Sequence, residues 1–132
     1  MQCPICRNKS CDEFIVDLMI CNQCSHIFKM EPNGDDKVPL EHIHRLVSPV
    51  DKLREAVESD TITDTPVFII PSMNFYTLDL EPSTFYKNFI NHYFNQKSMM
   101  ILLKRAGLIP ITQYNNWSGK ICETTLYCKV EK

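Results

Sequence analysis

The sequence predicts a mixed α+β protein: a small cysteine-rich ribbon followed by an α/β sheet of about three strands with two to three helices. Three observations support this fold class. Two Cys-x2-Cys pairs stand near the amino terminus, several segments have apolar residues at helical spacing, and several apolar runs have strand character. The predicted division is a ribbon over residues 1–30, a linker over 31–39 and a second domain over 40–132.

Size and composition fit this division. Of the 132 residues, 44% are apolar and 23% are charged, which allows a compact core and argues against disorder. The net charge of −2 lacks the basic excess typical of nucleic-acid-binding proteins. No secretory signal opens the chain, the odd number of seven cysteines fits a disulfide framework poorly, and no apolar run is long enough to span a bilayer. We therefore expect a reduced cytoplasmic protein without membrane attachment.

The strongest chemical signal is the pair of Cys-x2-Cys motifs, which are fourteen residues apart. This spacing places two pairs of thiolates on two tight turns, a common way to complete a tetrahedral zinc site. Four thiolates leave no open position for water or substrate, so the zinc is expected to be structural. The predicted ligands are Cys3, Cys6, Cys21 and Cys24.

Residues near the motifs leave alternatives open. Cys11 lies between the motifs and is either a competing ligand or a spare thiol. His26 is an alternative to Cys24, although its position two residues further along favours a strand side chain. Arg7 and Ser25 follow the motifs at positions where glycine is common, because glycine lets backbone N–H groups reach the sulfurs.

The ribbon is predicted to contain a strand over Phe14–Ile20 and a hairpin partner over His26–Phe28. A module of this size buries too little surface to fold alone, so the metal should supply much of its folding free energy.

The second domain is predicted to start with a short helical turn over Leu40–Leu46 and a helix that begins at Ser48-Pro49. Pro66–Pro71 is interpreted as a strand that is buried on both faces. A second helix is predicted from Pro82 to about Tyr93, with Phe85, Phe89 and Tyr93 on one core-facing side.

Asn95 is expected to cap a third helix that ends at Gly107. Two strands are predicted to follow, from Leu108 to about Asn115 and from Ile121 to Val130, with a turn over Asn116–Gly119. Cys122 and Cys128 then share one strand face and are interpreted as core residues.

From residue 41 onward, this order of elements resembles the carboxy-terminal half of class I S-adenosylmethionine-dependent methyltransferases. The resemblance rests on Glu41-His42-Ile43 with Ser48–Leu53, on Val67–Asn74, and on His92–Leu108. The closing strands resemble the reversed hairpin of that family, and a ribbon like residues 3–28 precedes the methyltransferase domain in some members.

The cofactor-binding half of that family is missing from the sequence. In the family, the cofactor lies over a glycine-rich turn after the first strand. Gly34, Gly107 and Gly119 are too scattered to build such a turn. We therefore expect no S-adenosylmethionine site and assign no catalytic residue. Glu41, His42 and His44 are interpreted as a helix-start carboxylate with solvated histidines, or as an altered site, and His92 as a packing and capping residue.

Three functions follow from these observations. The favoured hypothesis is a non-catalytic, methyltransferase-like protein that acts through protein–protein association. Without its first strands, the sheet would expose Val67–Ile70 as an apolar edge that recruits a protein partner or a second copy of the chain. The alternative is a methyltransferase, or a methyltransferase subunit completed in trans. Nucleic-acid binding is least favoured, because the few basic residues of the ribbon are offset by acidic ones.

Overall fold

The computed structural model describes residues 2–15, 17–31, 40–59, 67–76, 91–118 and 121–131. Its elements, in chain order, are β1 (Cys11–Ile15), β2 (Leu18–Cys21), β3 (Ile27–Lys29), two joined 3-10 turns (Leu40–Arg45), α1 (Pro49–Ser59), β4 (Val67–Tyr76), β5 (His92–Tyr93), α2 (Gln96–Arg105), β6 (Leu108–Ser118) and β7 (Ile121–Val130). The mixture of helices and antiparallel sheets confirms the α+β class.

The first sheet has the strand order β1-β2-β3-β5, and all of its pairs are antiparallel. The prediction of one strand over Phe14–Ile20 is wrong, because the chain reverses inside this segment. Asp17 has a φ of 71°, a left-handed conformation that aspartate tolerates better than most residues. The reversal pairs β1 with β2, and the predicted partner strand is confirmed as β3 on the other side of β2.

The second sheet has the strand order β4-β7-β6, and β7 is antiparallel to both neighbours. Both strands after Gly107 are confirmed, but β6 is longer than predicted and continues to Ser118. The predicted turn at Asn116–Ser118 is therefore wrong. Ladder pairing with β7 outweighs the turn preference of the two asparagines. Gly119 lies outside the described residues.

Both described helices begin as the sequence predicts. α1 starts at Pro49 and buries Val50, Leu53 and Val57 on one face. α2 starts after Asn95, whose side chain accepts the N–H of Ser98 at 2.9 Å, while the Ser98 hydroxyl accepts the N–H of Asn95 at 3.0 Å. This reciprocal pair is a capping box. Gly107 ends α2 with a φ of 83°, which glycine adopts without a steric penalty.

The helix predicted to run to about Tyr93 does not include its last residues. His92 and Tyr93 form β5 and pair with Phe28 and Ile27 of β3. Tyr93 therefore does not share a helical face with Phe85 and Phe89, which lie outside the described residues together with the rest of that predicted helix. A two-residue strand has no periodicity of its own, so its pairing with β3 decides its conformation.

One hydrophobic core joins the ribbon to the rest of the chain. Buried residues of the ribbon, including Ile5 and Phe28, belong to the same cluster as Leu53 of α1, Leu102 of α2 and Leu126 of β7. The linker predicted at residues 31–39 lies almost entirely outside the described residues, and the domain boundaries stay a prediction. Within the described ranges, neither helix combines the length and apolar character needed to cross a bilayer.

Candidate metal centre

The two Cys-x2-Cys motifs form two turns with the same backbone pattern. In each turn, the residue four positions after the first cysteine donates its N–H to that cysteine's carbonyl. These bonds are 3.0 Å from Arg7 to Cys3 and 3.0 Å from Ser25 to Cys21. Arg7 and Ser25 have left-handed φ values of 67° and 61°, at the two positions where the sequence lacks the usual glycine. Each costs roughly 1 kcal/mol, which other interactions of the turns offset.

The two turns face each other and bring four sulfurs together. All four Sγ atoms lie within 4.8 Å of one another. The Sγ atoms of Cys3 and Cys24 are 3.7 Å apart, and those of Cys6 and Cys21 are 3.4 Å apart. A tetrahedral zinc ion with Zn–S bonds of about 2.3 Å requires sulfur–sulfur separations of about 3.8 Å. The sulfurs therefore fit such an ion, whereas a disulfide requires about 2.05 Å. The four-cysteine cluster consists of Cys3, Cys6, Cys21 and Cys24.

The environment of the cluster stabilises thiolates unevenly. The hydrogen bond between Cys3 and Cys24 lowers the pKa of Cys3, with help from the backbone N–H groups of Ile5 and Cys6, and it raises the pKa of Cys24. Burial raises the pKa of Cys6. The Gln23 N–H also lies 3.4 Å from the Cys21 sulfur. Thiols that share protons in this way lose them when a divalent cation binds, so the group is suited to a metal ion.

The two alternative ligands lie outside the cluster. Cys11 is half-buried and its Sγ lies 3.7 Å from the Asn8 carbonyl oxygen. Burial raises the pKa of Cys11 to about 11, with a further contribution from Cys21, so this thiol stays protonated. The His26 ring is fully buried and its two nitrogens contact other residues. Cys128 is a buried core thiol, as predicted, and burial raises its pKa to about 11.

The first turn of α2 holds the second cysteine turn. Asn95 donates its side-chain N–H to the Cys24 carbonyl at 3.1 Å, and Lys97 donates to the Gln23 carbonyl at 2.9 Å. The Ser98 hydroxyl lies 3.1 Å from Nδ1 of His26. The first two contacts fix the peptide groups on either side of Cys24, so the position of this ligand depends on the docking of α2.

The last turn of α2 holds the first cysteine turn. The Arg105 guanidinium donates to the Ile5 carbonyl at 2.6 Å and to the Pro4 carbonyl at 3.4 Å. Arg54 of α1 donates to the Arg105 carbonyl at 2.8 Å. Burial and the nearby Arg7 and Arg54 lower the pKa of Arg105, while the attraction of Asp51 and then of Cys3 opposes that shift. α2 therefore forms hydrogen bonds to both cysteine turns, with its first turn bound to one and its last turn bound to the other.

Arg7, Arg105 and Asp51 also line a cleft of about 250 Å³ between the first cysteine turn and the start of α1. Four thiolates around a divalent cation would carry a net charge of −2. The two guanidinium groups beside Cys3 would oppose that charge, although the carboxylate of Asp51 in the same cleft offsets one of them.

A buried pair of histidines joins the ribbon to β5. The Nε2 atom of His26 lies 3.0 Å from Nδ1 of His92, and with ring centroids 5.3 Å apart the two rings meet edge to edge through this contact. Phe94 packs against His26 with centroids 4.8 Å apart. Burial and the neighbouring His92 lower the pKa of His26 well below its usual value, so the ring stays neutral. Sequence reasoning missed this contact because 66 residues separate the two histidines.

The 3-10 turns over Leu40–Arg45 hold Asn91, the residue before β5, through their backbone. The Asn91 N–H donates to the His44 carbonyl at 2.9 Å, and the Asn91 side chain donates to the Arg45 carbonyl at 2.8 Å. The His42 and His44 rings meet edge to face at 6.2 Å. Burial lowers the pKa of His44, so the prediction of solvated histidines is wrong for this half-buried ring. The Glu41 side chain lies outside what is described.

No protein-family model, curated protein or solved structure matches the chain.

The Asn95 side chain supports a first prediction about the site. We expect Asn95→Ala to destabilise the chain by about 1–2 kcal/mol, because it removes both the cap of α2 and the bond to the Cys24 carbonyl. Asn95→Asp is the matched control, since aspartate retains the cap oxygen but cannot donate to Cys24. The Asn95→Asp variant should have a free energy of unfolding about 1 kcal/mol lower in denaturant unfolding. It should also bind metal more weakly in a competition titration. Unchanged metal affinity in both variants would show that the bond does not support the cluster.

Proposed function

We propose that the four-cysteine cluster binds one zinc ion in a structural role. We further propose that the chain has no catalytic activity of its own and acts through association with protein. The observation that carries the metal assignment is the approach of four sulfurs within 4.8 Å of one another on two matched turns. An all-sulfur tetrahedral donor set suits zinc or iron, and a closed set of four ligands gives a structural role.

The role of the metal in this proposal is to lock the two cysteine turns to α2. Zinc would hold the turns against each other, and α2 would hold each turn by its carbonyl groups. Cys3, Cys21 and Cys24 are buried members of the common core. Metal binding would therefore stabilise the packing of the second sheet as well as that of the ribbon.

Native mass spectrometry of the purified chain tests the metal assignment. We expect the mass of one zinc ion per chain, and its loss on acidification. If one iron per chain is found, the site stays structural and iron replaces zinc in the proposal. If the chain stays fully folded without any metal, the proposed structural role of the metal is overturned.

The methyltransferase-like part of the proposal rests on the sequence resemblance. It is supported by the position of β7 between β4 and β6, which a reversed closing hairpin produces. The sequence contains only three glycines and no glycine-rich turn, which favours a chain that does not bind S-adenosylmethionine. Free thiols at the described cysteines agree with the cytoplasm as the proposed location.

Calorimetric titration of the zinc-loaded chain with S-adenosylmethionine tests the absence of catalysis. We expect no heat of binding beyond dilution. Saturable binding by the chain alone would contradict the proposal and favour the alternative of a methyltransferase.

Affinity capture with the zinc-loaded chain tests protein association. If the chain captures neither a second copy of itself nor another protein, the proposal that it acts through protein association is contradicted.

A further inference from the structure

β6 is exposed over nearly its whole length. Among its residues Leu108 is buried, while four large apolar side chains are open to solvent. They are Ile109, Ile111, Tyr114 and Trp117, with exposed fractions of 39%, 56%, 62% and 54%. The neighbouring strand β7 differs, since Thr124, Leu126 and Cys128 alternate as buried residues. The core therefore covers alternate residues of β7, whereas in β6 it covers Leu108 and leaves the four large apolar side chains exposed.

β6 is also an edge of its sheet. Within the described ranges it pairs with β7 alone. The other edge strand, β4, has the 3-10 turns and β5 close to it, so the two edges differ in their surroundings. Pro110 and the bulge at Ile111 interrupt the first part of β6. The remaining segment, Thr112–Ser118, contains no proline and no glycine, and its backbone is suited to accept another strand.

The charge pattern of β6 identifies the occupant. Its eleven residues include no acidic or basic side chain, although the chain as a whole carries a net charge of −2. Two copies of an acidic protein repel least where both surfaces are neutral. Antiparallel pairing of a strand with itself is two-fold symmetric, and it places each residue of the segment opposite one from the same neutral segment. Charged side chains on an edge strand disfavour pairing with a second copy of that strand, and β6 has no charged side chain.

We propose that two copies of the chain associate through antiparallel pairing of Thr112–Ser118 of β6, which joins their two sheets into one of six strands. This inference names the partner in the protein association proposed above and rests on it. It places the interface at β6, whereas the sequence had favoured the edge at Val67–Ile70. The pairing places Tyr114 and Trp117, one on each face of the joined sheet, beside side chains of the second copy, whereas Ile109 and Ile111 lie outside the paired segment.

The first test is the mass of the zinc-loaded chain by sedimentation over a micromolar concentration range. We expect a monomer–dimer equilibrium. Trp117 is the sole tryptophan of the chain and lies in the pairing segment, so its fluorescence should shift to shorter wavelength as the dimer forms. A monomer over the whole range would overturn the proposed dimer, whereas zinc content and capture of other proteins would be unaffected.

The second test introduces charge at two exposed positions of β6. Thr112→Lys with Asn116→Lys, and the corresponding double glutamate variant, should each weaken dimerisation by about tenfold or more, because like charges meet across the two-fold axis. An equimolar mixture of the two variants should restore association as a mixed dimer. Thr125→Lys and Thr125→Glu on the adjacent strand β7 are the controls and should leave the dimer unchanged.

The outcomes separate this interface from others. A dimer that persists in both double variants, or a mixture that fails to associate, would overturn pairing through β6. Equal loss of association in the Thr125 controls would also do so. Far-UV circular dichroism and zinc content confirm that each variant is folded before its mass is interpreted.

Discussion

Removal of the metal is expected to unfold the whole chain and not the ribbon alone. Structural zinc contributes about 10–16 kcal/mol of apparent binding free energy in small zinc-dependent peptides. A domain of this size has a total stability of about 5–15 kcal/mol. Because α2 grips both cysteine turns, and the buried cysteines belong to the common core, the ribbon cannot open while the packing of α2 survives.

Hydrogen exchange measures this result residue by residue. After treatment with a strong chelator, amide protection should fall together in β2, in α2 and in β7, and the far-UV circular dichroism signal of the helices should fall with it. Restoring zinc should restore the protection. If the amides of α2 and β7 stay protected while those of the ribbon exchange, the ribbon and the rest of the chain unfold independently. The prediction that metal loss unfolds the whole chain would then be wrong.

Two cysteine substitutions provide a matched comparison. Cys24→Ser should abolish stoichiometric zinc binding, because it removes a buried ligand of the cluster. Cys11→Ser makes the same chemical change at a half-buried thiol that lies outside the cluster, and it should retain one zinc per chain. Loss of zinc in the Cys11 variant would assign that thiol a ligand role.

Local chemistry explains which parts of the fold the sequence could predict. The four-cysteine cluster follows from spacing, since two tight turns present their thiols whatever surrounds them. Asn95 and Gly107 mark the ends of α2 because a cap and a left-handed residue act within a few positions of the chain. The strands β6 and β7 follow from apolar and β-branched content.

Long-range pairing explains what the sequence could not predict. β5 is two residues long, and it is a strand because β3 lies beside it. The contact of His26 with His92, and that of Arg105 with Ile5, join residues that no local pattern relates. The reversal at Asp17 is a local feature, but the apolar residues on both sides favoured a continuous strand.

Phe94→Ala is expected to be the most destabilising single substitution outside the cluster. Phe94 is fully buried in the core, packs against the His26 ring with centroids 4.8 Å apart, and lies between β5 and the start of α2. Truncation of a buried phenylalanine costs about 3–5 kcal/mol, because the lost contacts add to the cavity that remains. The cavity would form beside the residues that connect α2 to the second cysteine turn, so zinc affinity should fall together with stability.

Phe14→Ala makes the same change at a phenylalanine that is only partly buried, on strand β1. It should cost about 1 kcal/mol and leave zinc affinity unchanged. Denaturant unfolding of the zinc-loaded variants measures both effects, and Phe94→Leu supplies a folded variant of intermediate stability if the alanine variant does not fold. If Phe94→Ala and Phe14→Ala lower the free energy of unfolding by similar amounts, the position of Phe94 beside the buried histidine pair has no special role in stability. A loss at Phe94 with unchanged zinc affinity would instead separate the core from the metal centre, because the proposed coupling requires the two to weaken together.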